Sequence, residues 1–200
     1  MKPFVLCETH AAPLVRDNID TDLIVRIERI AQLRRGQFQP WAFETWRYLP
    51  DGSENPDFVL NQEPYRQTQI IMSGANFGCG SSREMAVWAL EEFGIRCIVA
   101  ESYGDIFFNN CLQNGLLPVT LDRETIHSLV QASLSGDKMS VDLRQCTITT
   151  AATGSIAFVV PEMQRQALLQ GQDDIAQTLA MQDQIDAFQQ RDRQSRPWVY

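Results

Sequence analysis

A glycine-rich stretch that ends in two hydroxyls and a guanidinium is the part of the sequence best suited to chemistry. It reads Gly74-Ala-Asn-Phe-Gly-Cys-Gly-Ser-Ser-Arg-Glu84. Glycine can take positive φ and lets other groups approach the backbone closely. Successive backbone N–H groups in such a turn, next to the start of a helix, favour negative charge. We therefore predict an anion-binding turn at Gly78, Cys79 and Gly80. The side chains that follow it are Ser81, Ser82 and Arg83.

Two simpler interpretations of this stretch compete with the anion turn. Ser81-x-x-Glu84 before an apolar helix is also a capping box, in which the serine oxygen satisfies a free N–H of the helix. Three glycines, a second serine and an arginine are more than a cap requires. A nucleotide loop is the other interpretation, but the stretch has no Gly-Lys-Ser/Thr ending and lacks the third glycine of the dinucleotide fingerprint. The nucleotide patterns therefore fit poorly.

Hydrophobic spacing indicates the elements that must position the turn. An apolar run at residues 69–73 predicts a buried strand, and helical spacing over residues 84–93 predicts a helix. The other predicted strands are Phe4 to Cys7, Cys97 to Ala100, Pro118 to Leu121, Met139 to Leu143, Cys146 to Thr150 and Ser155 to Val160. The other predicted helices are Gly104 to Asn114, stopped by Gly115, and Arg123 to Leu134. This order, βαβαβ around the turn plus antiparallel strands, predicts an α/β fold.

Length, composition and charge limit the class of protein. Two hundred residues with 44% hydrophobic content can form one domain, and we expect residues 1–200 to do so, with a helical C-terminal extension from about residue 161. No apolar stretch reaches the roughly 20 residues of a membrane span, and the start of the chain does not resemble a signal peptide. We therefore expect a cytoplasmic protein. A net charge of −8 argues against nucleic-acid and membrane-surface partners.

The cysteines do not form a recognisable metal or disulfide pattern. There are five of them, widely scattered, with no Cys-x-x-Cys pair. Cys97 and Cys146 lie in apolar contexts typical of core residues. Cys79 lies in the anion turn, where a reactive thiol and a packing role are both open. We therefore expect no metal site in this chain.

Arginines and aromatic residues alternate in the segment between residues 25 and 49. The arginines are Arg26, Arg29, Arg34 and Arg35, and the aromatic residues are Phe38, Trp41, Phe43, Trp46 and Tyr48. Such a pattern can bind single-stranded nucleic acid. In an acidic chain we favour a loop or irregular helix whose aromatic rings pack while one or more arginines face an anionic substrate or a partner. Arg29 and Arg34 are the candidates for substrate contact; for Arg29, a surface position is an equal alternative.

Three segments together resemble a known family. Residues 76–84 are similar to the signature of the small subunits of 3-isopropylmalate dehydratase, within the aconitase superfamily. Asp17-Asn-Ile-Asp-Thr-Asp-Leu-Ile24 resembles the N-terminal Asp-Thr-Asp motif of the family, and Asp105-Ile-Phe-Phe-Asn-Asn-Cys-Leu-Gln-Asn-Gly-Leu-Leu-Pro118 resembles its third block. The three segments occur in the family's order over most of the chain.

The resemblance implies a fold, an activity and a partner. The fold is the swivelling β/β/α domain, and the activity is a hydro-lyase that interconverts 2-isopropylmalate and 3-isopropylmalate in leucine biosynthesis. The small subunit would work with a large subunit that carries a [4Fe-4S] cluster. By resemblance, Ser81 is the base that removes a proton from a hydroxy diacid, and Asp22 supports it. Arg83 would hold a substrate carboxylate, and Ser82 would add a further contact.

Two departures from the family pattern leave other substrates open. The chain has Met85 and Val87 where the family usually has His and Pro, and it reads Arg26-Ile-Glu-Arg29 after the Asp-Thr-Asp motif. A paralogue acting on a methylmalate, citraconate or dimethylmalate is therefore an alternative. A non-catalytic subunit that binds a carboxylate for assembly is another. Retention of the serine, arginine and aspartate together favours catalysis.

Overall fold

The computed structural model describes residues 1–199 and contains two four-stranded sheets. The strands are β1 Leu6–Thr9, β2 Ala12–Pro13, β3 Ile70–Met72, β4 Cys97–Ala100, β5 Leu117–Thr120, β6 Met139–Asp142, β7 Thr147–Thr150 and β8 Gly154–Ala157. The α-helices are α1 Thr21–Ile24, α2 Ile27–Ile30, α3 Glu44–Arg47, α4 Glu84–Phe93, α5 Asp105–Asn114, α6 Arg123–Leu134, α7 Glu162–Gln170, α8 Asp174–Leu179 and α9 Gln182–Ser195. Turns of 3₁₀ helix cover Gln39–Trp41, Val59–Asn61 and Pro197–Val199.

The first sheet is parallel and contains the predicted βαβαβ unit. Its order is β2-β3-β4-β5, with α4 connecting β3 to β4 and α5 connecting β4 to β5. Ile71 and Ile98 face a core shared with α4 and α5, whereas Met72 and Val99 face a second core. Alternate residues of a strand point to opposite faces. The sheet is therefore covered on both sides, which explains its continuous apolar strands.

The second sheet is antiparallel, in the order β1-β6-β7-β8, and covers the other face of the parallel sheet. Residues of β1, β6, β7 and α6 supply the second core. The layers are thus β/β/α, as predicted. The predicted strand to Val160 is too long, because β8 ends at Ala157 and Val159 is 91% exposed. The first strand begins later than predicted, because the Phe4 N–H bonds to the Leu168 carbonyl outside the sheet.

Two glycines end the helices of the parallel sheet. Gly94 follows α4 with φ +113° and Gly115 follows α5 with φ +82°. A left-handed residue at this position lets its N–H satisfy the last carbonyls of the helix. The predicted stop at Gly115 is confirmed, and α4 has the predicted bounds.

The arginine and aromatic segment is irregular, as predicted, with α2, α3 and a 3₁₀ turn. Its rings pack inward: Phe38 and Phe43 are fully buried. Trp46 stacks on Phe43 with ring centroids 6.0 Å apart and also contacts Phe58. The aromatic residues therefore serve the core and not a nucleic-acid surface.

The last part of the chain is helical. Helices α7 to α9 follow Pro161, and α7 is fixed to the N-terminal residues because Gly171 caps it and accepts from the Met1 amino group at 3.2 Å. In residues 1–199, no helix combines the length and apolarity that a bilayer crossing requires.

Candidate active site

The glycine turn lies where the carboxyl ends of three parallel strands meet. The Gly78 N–H donates to the Ile19 carbonyl at 2.7 Å, and the Thr21 N–H donates to the Cys79 carbonyl at 2.9 Å. The Phe77 N–H bonds to Ser102, which follows β4. In open α/β sheets, ligands bind at this edge. The turn therefore lies where the fold offers a binding crevice.

Gly78 has a conformation and a contact that exclude a side chain. Its φ is +70°, and an added Cβ would overlap the ring of Phe107. Gly104, the residue before α5, packs so closely that an added Cβ would lie 2.8 Å from the Gly78 carbonyl oxygen. The N-terminal ends of α4 and α5 thus both approach the turn. Helix N-termini carry partial positive charge, so the turn favours an anion.

Three consecutive backbone N–H groups in the turn have no acceptor within residues 1–199. They belong to Gly80, Ser81 and Ser82, all of which are exposed. The hydroxyls of Ser81 and Ser82 likewise have no partner in the part of the chain that the structure describes. A row of free donors next to a hydroxyl can stabilise a carboxylate or a developing oxyanion.

The capping box suggested by the sequence is not formed. Helix α4 begins at Glu84, and its cap residue is Arg83, whose side chain makes no capping hydrogen bond. The Glu84 carboxylate accepts from the side-chain amide of Asn114 at 2.9 Å. The Ser81 carbonyl accepts from the Thr21 hydroxyl at 3.3 Å. Ser81 therefore lies outside the helix with its side chain free.

Arg83 and Asp22 form an ion pair beside the serine. The Arg83 Nη1 donates to the Asp22 Oδ1, and the arginine side chain is 16% exposed against 55% for the aspartate. Asp22 contacts Arg83 and, within residues 1–199, makes no hydrogen bond to the Ser81 hydroxyl. Any support that it gives to the serine is therefore indirect, through the position of Arg83. Guanidinium has five N–H donors, so the pair leaves others for a ligand.

The structure gives Arg29 partners within its own chain. Its guanidinium donates to both carboxylate oxygens of Glu44, at 3.0 and 2.5 Å, and lies 3.5 Å from the centre of the Trp41 ring. The hydrogen bonds to Glu44 raise the pKa of Arg29 further. These contacts use the planar fork and one face of the guanidinium. A substrate carboxylate that binds to the Nε and Nη2 edge of Arg29 would have to displace Glu44.

Arg34 lies near the far end of α4. The neighbouring N–H groups of Gly36 and Phe38 both bond to the Glu92 carboxylate, at 2.5 Å each. Glu92 is about 12 Å along the helix from Glu84, at about 1.5 Å per residue. The Arg34 guanidinium is exposed and has no partner among residues 1–199. The structure therefore does not bring Arg34 together with Ser81.

The family departures at the signature lie mostly inside the protein. Val87 is fully buried on the core face of α4, and Met85 is partly buried and packs against the same core. Neither residue is an exposed neighbour of the serine. The difference from the family pattern at these positions is therefore a difference in packing.

The cysteines do not form a ligand set. Cys7, Cys97 and Cys111 are buried, and burial raises the pKa of the Cys7 thiol to about 11. Partial burial and the Asp20 charge raise the pKa of Cys79, which keeps the thiol protonated. Across the described residues, no group of three or more His, Cys, Asp or Glu side chains is placed to hold a metal. The donor set of this chain therefore does not fit an iron–sulfur cluster.

Sequence reasoning missed two residues that shape the site. Thr21 lies in the Asp-Thr-Asp motif, but only the fold shows that its hydroxyl holds the Ser81 carbonyl. Asn114 enters the sequence analysis only as the end of a helix and as one residue of the segment that resembles the family's third block. Its contact with Glu84 spans 30 residues, and no local pattern indicates it.

Comparisons with known proteins agree along the whole chain. Residues 1–124 match the family model described as aconitase C-terminal domain, and residues 174–200 match the model of the C-terminal domain of the 3-isopropylmalate dehydratase small subunit. The chain is 45% identical over 201 residues to the 3-isopropylmalate dehydratase small subunit of Paracoccus denitrificans, with 100% of both chains covered. It is 47% identical over 205 residues to that of Cupriavidus necator, covering 100% of this chain and 99% of the relative.

A solved structure supports the fold. The crystal structure described as 3-isopropylmalate dehydratase from Methanocaldococcus jannaschii superposes with a TM-score of 0.65 and covers 92% of this chain and 99% of its own. The identity is 23%, so the likeness concerns the fold alone.

Proposed function

The chain belongs to the family of 3-isopropylmalate dehydratase small subunits, and from this premise we propose that it works with a large subunit to interconvert 2-isopropylmalate and 3-isopropylmalate in leucine biosynthesis. The relatives from Paracoccus denitrificans and Cupriavidus necator are both named for the isopropylmalate enzyme, which favours this substrate over a methylmalate or dimethylmalate. One observation about the site carries the proposal: a free serine hydroxyl lies beside three consecutive backbone N–H groups without an acceptor in residues 1–199.

The reaction needs a base that removes a weakly acidic proton next to a carboxylate. We assign this role to Ser81. A serine alkoxide is very unfavourable near neutral pH in water. Free backbone N–H groups and two helix N-termini stabilise the charged form and so lower the cost of ionisation. Since they are fixed by the fold, these dipoles do not have to reorganise when charge develops.

We assign the binding of a substrate carboxylate to Arg83. Its guanidinium is permanently charged and can form two parallel hydrogen bonds with a carboxylate. Asp22 fixes the arginine from one side, which reduces the side-chain entropy lost when substrate binds. Asp22 then acts as a positioning residue for Arg83, and Ser82 supplies a backbone N–H or hydroxyl contact.

The proposed partner is a large subunit that carries a [4Fe-4S] cluster. The donor set of this chain does not fit a cluster, so we place the cluster's ligands on the partner chain. A Lewis acid in that position would assist loss of the substrate hydroxyl. We further propose that residues 1–200 form one swivel-type domain with a helical extension from about residue 161, and that the enzyme is cytoplasmic.

The test is reconstitution under anaerobic conditions. The full chain is co-purified with the large subunit, and isomerisation is measured with 2-isopropylmalate, methylmalates and dimethylmalate. We expect activity on 2-isopropylmalate only in the assembled enzyme, and no stoichiometric iron or sulfide in this chain alone. A marked preference for another malate would reject the proposed substrate.

The assignment of the base is tested by Ser81→Ala in the same assay. We expect a loss in kcat of about 100- to 10,000-fold, as is typical when a general base is removed. Ser128→Ala on α6 is the matched control, because Ser128 is an exposed serine whose hydroxyl, among residues 1–199, bonds only to the Glu124 carbonyl. Near-normal kcat in Ser81→Ala would leave the serine without a role in proton transfer.

A further inference from the structure

Asn114 is a buried amide with all of its hydrogen-bonding capacity in use. Its side chain is at the end of α5, and the residue is 3% exposed. The oxygen accepts from the Trp88 indole at 3.0 Å and from Arg35 at 3.2 Å. The nitrogen donates to Glu84 and to the Asn110 carbonyl, both at 2.9 Å. An amide has two donors and two acceptor positions, so Asn114 is fully satisfied.

The hydrogen bond from Asn114 to Glu84 affects whether Ser81 can be drawn into a capping box. Glu84 is the acidic member of the Ser-x-x-Glu pattern, whose carboxylate would bond back to the N–H of Ser81 in a formed capping box. In that box the serine hydroxyl would bond to the helix backbone. The Ser81 N–H would then be occupied, and the serine oxygen would be directed toward the helix backbone, away from a substrate.

The backbone shows that the box is held open by tertiary contacts. A closed box requires helical torsions at Ser82 and Arg83, but Arg83 has φ −116° and ψ 106°. Thr21 holds the Ser81 carbonyl, and Asp22 holds Arg83. Only Asn114 holds the carboxylate of Glu84 among the described residues.

We infer that Asn114 is a positioning residue for the reaction: by retaining the Glu84 carboxylate it keeps the capping box open and leaves Ser81 available to the substrate. The inference rests on the proposed role of Ser81. It predicts that an enzyme without this bond extends α4 toward Ser81 and loses turnover while the fold is retained.

The sharpest variant is Asn114→Asp, which has nearly the same shape. The new carboxylate still accepts from Trp88 and Arg35 but cannot donate to Glu84 or to the Asn110 carbonyl, and it repels the glutamate. We expect a loss in kcat of about tenfold or more in the enzyme assembled with its large subunit. Asn109→Leu, an exposed asparagine on the same helix, is the control and should keep the kcat of the native enzyme.

A second substitution separates positioning from simple support of the structure. In Asn114→Asp with Glu84→Gln, the glutamine amide can donate to the new carboxylate and restore the bond with its direction reversed. We expect the double variant to recover most of the lost kcat. A purely structural role of Asn114 toward Trp88, Arg35 and Asn110 does not involve residue 84, and both variants lose the bond to the Asn110 carbonyl equally. Failure of this recovery would therefore overturn the inference.

Amide exchange tests the inference without catalysis. In the full chain alone, NMR should show a rapidly exchanging Ser81 N–H, slower exchange in Asn114→Asp, and rapid exchange again in the double variant. Unchanged exchange in Asn114→Asp would overturn the inference even if activity fell. If exchange changes as expected but Ser81→Ala remains active, the inference about the turn holds and the proposed base is wrong.

Discussion

The glycine turn and the arginine segment at residues 26–35 both carry groups that could bind a carboxylate, but they differ in how those groups are used. In the turn, three consecutive backbone N–H groups have no acceptor within residues 1–199. In the arginine segment, Arg26 pairs with Glu28 at 3.3 Å, Arg29 pairs with Glu44, and Arg35 pairs with Glu91 at 3.0 Å. The backbone N–H groups of the turn, which carry only partial charge, have no acceptor in the described residues, whereas most of the arginines at residues 26–35 are paired with a glutamate.

This difference shows why charge alone is a poor indicator of a binding site. Arg29, whose Nε and Nη2 both bond to Glu44, must leave its partner before this edge of the guanidinium can bind a ligand, and the carboxylate left behind loses its hydrogen bonds. Arg83 bonds to Asp22 through Nη1 alone and keeps other donors for a ligand. A backbone N–H group without an acceptor can bind a ligand without first breaking a hydrogen bond within the protein. The turn is therefore the better candidate site, although the arginine segment has more charge. Four substitutions can test this comparison.

Gly78→Ala should have the largest effect. The alanine would need a left-handed φ, which costs about 1–2 kcal/mol, and its methyl would overlap the Phe107 ring, which adds about 1–3 kcal/mol. We expect a loss of unfolding free energy of about 2–5 kcal/mol, measured by urea denaturation. Gly52→Ala is the control, since Gly52 has φ +85° and no atom within 4 Å of an added Cβ. Equal losses in the two variants would show that the Phe107 contact has no energetic role.

Arg83→Leu should lower kcat/KM by about 100-fold, or about 2.7 kcal/mol, because a charge-assisted contact with the substrate is lost. Arg83→Lys should lose less, since it keeps the charge but not the planar fork. Both are measured in the assembled enzyme. If the leucine variant retains its kcat/KM and loses only stability, Arg83 has a structural role like that of the paired arginines at residues 26–35.

Arg29→Leu should change stability and leave substrate choice unaffected. Loss of the Trp41 contact and of the pair with Glu44 should cost about 1–2 kcal/mol of unfolding free energy. Changes in kcat/KM should be small and uniform across malates. Arg26→Leu, which removes a more exposed arginine, should shift Tm less. A selective change in kcat/KM of about tenfold, or about 1.4 kcal/mol, for one malate would indicate that Arg29 contacts the substrate.

Arg34→Leu should have the smallest effect, because the guanidinium is exposed and far along α4 from the serine. We expect kcat/KM within about twofold of the native enzyme. A large loss in the assembled enzyme, with unchanged stability of this chain, would show that Arg34 reaches the substrate or the partner.

Local patterns predicted most of the elements of the fold. Helical spacing predicted α4 and α6 with their observed bounds, and continuous apolar residues predicted β4. The irregular arginine segment with packed aromatic rings was also predicted. Local patterns did not indicate the division into two sheets, which only the family resemblance implied, since β1 pairs with β6 across 130 or more residues. Neither local spacing nor composition specifies such a pairing.

The candidate site, like the sheet pairing, depends on contacts that local sequence patterns do not specify. The glycine turn is a local signal, and its predicted position between a strand and a helix is confirmed. The partners of its side chains are remote in sequence: Asp22 is 61 residues from Arg83, and Asn114 is 30 residues from Glu84. The sequence pattern Ser-x-x-Glu equally allows a capping box. Only these tertiary contacts decide between a serine that caps a helix and a serine that faces a ligand.

The free donors of the turn belong to the main chain, and this limits how the site can diverge in evolution. A side-chain substitution can distort a row of backbone N–H groups, but it cannot replace them with donors of a different chemistry. Selection for a new acid would therefore leave the glycine turn, the proposed carboxylate-binding site, unchanged and alter residues around it. Directed evolution of substrate range should accordingly accept mutations in the surrounding loops far more often than at Gly78 or Gly80.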